Sequence, residues 1–74
     1  MEKGTLVREE ICTLIAGYLG EPTAKNFLMY HDRETLPVFT GEAFNMLGDF
    51  VGKDKAKNEL RQIYIQNNMT QTYV

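Results

Sequence analysis

The chain has 74 residues, 43% of them hydrophobic and 24% charged, with a net charge of −2. That length holds one domain with a small core. One cysteine and one histidine exclude an internal disulfide and a zinc site of the usual three or four nitrogen and sulfur ligands.

The composition is that of an ordinary globular protein and lacks the disorder signature of few apolar residues and high net charge. No apolar run is long enough to span a bilayer. Met1-Glu2-Lys3-Gly4 does not open a secretory signal, so a cytosolic address is expected. No membrane, metal or cofactor is implied. A core this small, with no covalent or metal staple, makes self-association a live expectation.

The first helical stripe is Val7, Ile11, Leu14, Ile15 and Tyr18, spaced for one face. With Thr5 as a predicted N-cap, it gives a helix over about 5–19. Gly17 and Gly20 bracket its end. Pro22 then opens a second helix over 21–32, with Ala24, Phe27, Leu28 and His31 as its stripe. Thr35-Leu36-Pro37 reads as a break. Thr40 is the predicted N-cap of a third helix carrying Ala43, Met46, Leu47, Phe50 and Val51 inward. Gly52 ends that helix. A fourth begins at Lys53 or Asp54 and carries Ala56, Leu60, Ile63 and Tyr64. The period fades at Gln66, which predicts a domain over 1–66 and a frayed tail over 67–74.

A shift of 32 residues lays Leu19–Leu28 over Val51–Leu60. Glycine, alanine, lysine, asparagine and leucine coincide at five of the ten positions. Upstream, Glu10 meets Glu42, Leu14 meets Met46, Ile15 meets Leu47 and Tyr18 meets Phe50. Each unit reads as an αα-hairpin with a glycine joint and a small alanine one turn later. The predicted architecture is all-α, with two such hairpins over 6–37 and 38–66. Each needs the other to bury its stripe.

The joints Gly20-x-x-x-Ala24 and Gly52-x-x-x-Ala56 resemble the second half of the helix-hairpin-helix motif. In place of the motif's first glycine this chain has Tyr18 and Phe50. The resemblance implies phosphate contact through the backbone at a helix N-terminus. Gly52, Lys53, Lys55, Lys57 and Arg61 are the residues that would make it. Asp54 and Glu59 dilute that basic run, and the acidic pI of about 5.2 weighs against nucleic acid. The stretch Leu19–Lys25 is also similar to short helical accessory segments of prokaryotic signalling proteins, with one extra residue between glycine and proline. That likeness implies a protein-interaction role.

Catalysis finds little support. Cys12 and His31 could form a nucleophile pair, but Cys12 lies beside an apolar stripe, where a free cysteine usually serves as a small hydrophobe. Asn68-Met69-Thr70 has the form of a glycosylation sequon, and Thr72-Tyr73-Val74 that of a C-terminal strand-addition peptide. The aromatic residues are more informative. Tyr18, Phe27, Phe44 and Phe50 can fill the core. Met29, Tyr30 and Phe39 exceed what four short helices need and form the candidate protein interface. The sequence reading is therefore a small cytosolic interaction module, homodimeric or accessory, without catalytic activity. Nucleic-acid binding through the second joint is the alternative.

Overall fold

A computed structural model describes residues 3–69 as four helices, with no strand among them. They are α1 (Lys3–Leu19), α2 (Glu21–His31), α3 (Leu36–Val51) and α4 (Lys53–Gln66). The all-α prediction holds. Consecutive helices pair as α1 on α2 and α3 on α4, and α1 also packs on α3 and α4. Helix α1 is thus the central element, and α2 leans mainly on it.

The core follows the helical period. Val7, Ile11 and Ile15 face inward from α1, and Ala24 and Phe27 from α2. Phe39, Ala43 and Leu47 join from α3, and Ala56, Leu60, Ile63 and Tyr64 from α4. These side chains supply the driving force, at about 1.5–3 kcal/mol for each large one fully buried.

Each hairpin turns on a single residue. Gly20 has φ 95° and ψ 155°, and Gly52 has φ 97° and ψ 147°. An L side chain rarely adopts that region, so only glycine fits it without strain. The hydrogen bonds match as well. The Gly20 N–H donates to Ala16 O at 2.9 Å, and the Gly52 N–H to Gly48 O at 3.0 Å. Ala24 N–H then donates to Gly20 O at 3.2 Å, and Ala56 N–H to Gly52 O at 3.1 Å. One glycine therefore closes one helix and opens the next. The small alanine beside it is buried in both cases.

Three boundaries differ from the sequence reading. Helix α1 already runs from Lys3, so Thr5 lies inside its first turns and is not the N-cap. Gly17 likewise remains helical. Pro37 does not break the chain but sits in the first turn of α3, where its missing N–H needs no partner. Thr35 holds the extended cap position instead, with ψ 158°. This starts α3 at Leu36 and puts Thr40 within the helix. Thr40 is fully buried, and its hydroxyl lies 2.8 Å from the Tyr64 hydroxyl.

The third difference is at the end of α4. Residues 67–69 are placed, not loose. Asn68 takes φ 57°, and its N–H donates to Ile65 O at 3.0 Å. Met69 N–H donates to Tyr64 O at 3.0 Å, and the Met69 side chain packs on the core. This is a Schellman closure with asparagine in the left-handed position. The Asn67 side chain also donates to Glu10 Oε2 at 2.9 Å, tying the end of α4 to α1. The predicted tail over 70–74, with Thr72-Tyr73-Val74, lies outside the described residues.

Candidate functional site

Among the described residues, helix α2 carries the most exposed large apolar side chains. Met29 is 77% exposed and Tyr30 83%. Both were predicted for a contact surface. Phe39, the third residue of that set, is 0% exposed. The reason is the earlier start of α3: Phe39 falls within the helix and shares an inward face with Ala43 and Leu47. Its ring meets Phe27 edge-on at 5.0 Å between centroids. Phe50, assigned to the core, is instead 59% exposed in the last turn of α3.

The helical spacing also puts Leu28 in the core stripe. It is 40% exposed and borders a hollow between α1 and α2. This hollow of about 420 Å³ is lined by Thr5, Arg8, Glu9, Cys12, Thr13 and Leu28. A smaller one, about 190 Å³, continues it past Ala16, Ala24 and Lys25. The sequence signal for this opening is in the 32-residue comparison. Cys12 occupies the register of Phe44, and Leu28 that of the fully buried Leu60. Phe44 packs half-buried against the core, whereas Cys12 lines the hollow that Leu28 borders.

The hollow has little catalytic chemistry. Burial pushes the Cys12 thiol above its usual 9.0, and the neighbouring Glu9 carboxylate adds to the rise. A thiol shifted that way is held as the weakly nucleophilic protonated form at neutral pH. His31 is engaged elsewhere. Its Nδ1 lies 2.7 Å from Glu34 Oε1, and its ring rests 4.6 Å from that of Phe27. Arg8 spans from α1 to the α2–α3 link. Its Nη2 donates to Glu34 O at 2.8 Å, and its guanidinium lies 5.7 Å from the Phe39 ring centre. Arg8 Nε is buried without a hydrogen-bond partner. No group of three or more metal-ligating side chains occurs among the described residues.

The second joint has a different character. Gly52, Lys53 and Lys55 are exposed where α4 begins. The Lys55 ammonium sits 5.3 Å from the Tyr18 ring centre, and the Tyr18 hydroxyl donates to the Glu59 carboxylate. Lys57 is half-buried, and both Lys57 and Arg61 already hold interactions within the chain. The basic run is thus partly committed to holding α1 against α4. No described helix is long and apolar enough to cross a membrane. No family model matches the chain, and no significant similarity to a curated protein or a solved structure is found.

Proposed function

We propose that this chain is a small, non-catalytic protein-interaction module of the cytosol that associates with itself. One observation carries the reading: adjacent Met29 and Tyr30 stand 77% and 83% exposed on the outer helix. Methionine and aromatic side chains are enriched where proteins meet, and an exposed cluster of them marks a contact surface. A small core without a staple gains stability from any partner that binds only the folded state. Sedimentation equilibrium of the full chain tests the reading. Reversible association in the micromolar range is the expected result. A monomer at every concentration up to about 1 mM overturns self-association.

A second reading rests on the geometry at Gly52. A positive-φ glycine opens α4, with exposed Lys53 and Lys55 beside it. This supports phosphate contact of the helix-hairpin-helix kind. Binding of a short DNA or RNA duplex at low salt, lost steeply as salt rises, is the result that reading requires.

A further inference from the structure

We propose that α2 pairs antiparallel with α2 of a second copy of this chain, through the stripe Lys25, Leu28, Met29 and Asp32. This inference rests on the self-association reading above and specifies its interface. The four residues are spaced i, i+3, i+4, i+7, which places them on one face of a helix. All four are exposed. Asp32 follows the last helical residue but keeps helical angles, φ −65° and ψ −21°, so the stripe continues through it.

The order of charges selects the orientation. A parallel twofold pair would set Lys25 against Lys25 and Asp32 against Asp32. An antiparallel pair about an axis between positions 28 and 29 sets Lys25 against Asp32 of the second copy, twice. The same axis sets Leu28 against Met29 of the second copy, also twice. Apolar contact thus lies at the centre and opposite charges flank it, which is the ordinary anatomy of an interface. Neither Lys25 nor Asp32 pairs with an opposite charge among the described residues, so both are available.

The surface shape agrees. Leu28 borders the α1–α2 hollow of about 420 Å³. Methionine is unbranched and adapts to irregular gaps, so Met29 of the second copy suits this hollow. The same stripe on α4 is Lys57, Leu60, Arg61 and Tyr64, and there Leu60 and Tyr64 are fully buried within the chain. Helix α4 finds its cover within the chain, packed on α3 and α1, and the second copy supplies cover to Leu28 and Met29 of α2.

The test is charge reversal, read by sedimentation equilibrium of the full chain, with circular dichroism to check helix content. K25D and D32K each place like charges across the pair and raise the dimer Kd by about tenfold or more. The double variant K25D/D32K restores opposite charges and returns Kd to within about threefold of the parent. M29D removes the apolar contact and also weakens the dimer. A dimer indifferent to both single reversals overturns the α2 pairing while leaving self-association in place. A parent chain that stays monomeric throughout overturns both. A double variant no better than the singles overturns the antiparallel register.

Discussion

The two hairpins share a joint and differ in how they are closed. At Gly20 and Gly52 the backbone angles agree within 10°, and the hydrogen bonds across each corner run between equivalent positions. Away from the corners they diverge. The α3–α4 hairpin buries Leu60 and Tyr64 and hides the polar Thr40–Tyr64 pair. The α1–α2 hairpin leaves Leu28 at its rim and places Met29 and Tyr30 outside. In the 32-residue register those two positions face Arg61 and Gln62 on α4. The α3–α4 hairpin also exposes Val38, Phe50 and Ile65, so the contrast lies in the Leu28 and Leu60 register and in the outer face of α2, not in total apolar surface. The difference arises from side chains, because the corner geometry is common to both.

The largest effect separates the two leucines. Leu60→Ala empties a fully buried site and should cost about 2–5 kcal/mol, enough to unfold a marginal domain. Leu28→Ala removes a side chain that water already reaches, so roughly 1 kcal/mol or less is expected. Urea unfolding of both variants checks this. Equal losses would break the contrast and place Leu28 in the core.

The next effect should be shared. Gly20→Ala and Gly52→Ala each force a side chain into a backbone region that costs about 1–3 kcal/mol. The space around either glycine is open, with nothing nearer than 3.8 Å to an added Cβ at Gly20 and nothing within 4 Å at Gly52. Strain alone therefore sets the loss. Midpoints that fall by similar amounts confirm a common corner; a difference beyond about 1 kcal/mol separates them.

Much of this plan was legible in the residues. The stripes Val7-Ile11-Ile15 and Ala56-Leu60-Ile63 repeat at helical spacing, and burial follows directly from that. Both joints were legible because only glycine tolerates the corner. The start of α3 was not. Pro37 reads equally as a stop or as a first-turn residue, and local sequence does not distinguish them. Tertiary contacts do: Arg8 reaches the Glu34 carbonyl and covers the Phe39 ring, fixing the link before α3. That single choice moved Thr40 from cap to core and Phe39 from surface to core. The exposed face of α2 was half visible. Met29 and Tyr30 read as surplus, but the exposure of Leu28 is not legible from its helical spacing, which is that of an inward residue.

A third prediction concerns the buried pair of the closed hairpin. Burial raises the Tyr64 phenol above its usual 10.0, against smaller opposing effects from the Thr40 hydrogen bond and the Arg8 charge. The folded state then holds this proton more tightly than the unfolded chain does. Its contribution is fully present below pH 10 and is lost as pH rises through the folded value. Alkaline unfolding should therefore steepen above pH 10 in the parent and flatten in Tyr64→Phe. Thr40→Val tests the partner. It removes one hydrogen bond from the Tyr64 hydroxyl, at about 1 kcal/mol, measurable by urea unfolding at pH 7.

The smallest effect lies in the open hairpin, at Cys12. Cys12 is partly buried and lines the α1–α2 hollow, and its pKa is raised by burial first and Glu9 second. Only thiolate is alkylated readily, so a raised pKa slows the reaction at fixed pH. Iodoacetamide at pH 8 should modify the folded chain more slowly than the urea-unfolded chain. Glu9→Gln removes the lesser cause and should recover only part of the rate, because burial remains. Reagent access and thiolate fraction both set the rate. The two are separated by the pH dependence, since an access barrier scales the rate equally at all pH values while a raised pKa moves the inflection. Equal rates and inflections for folded and unfolded chains would mean that α1 and α2 do not enclose Cys12, and the distinction between an open and a closed hairpin would lose its physical basis.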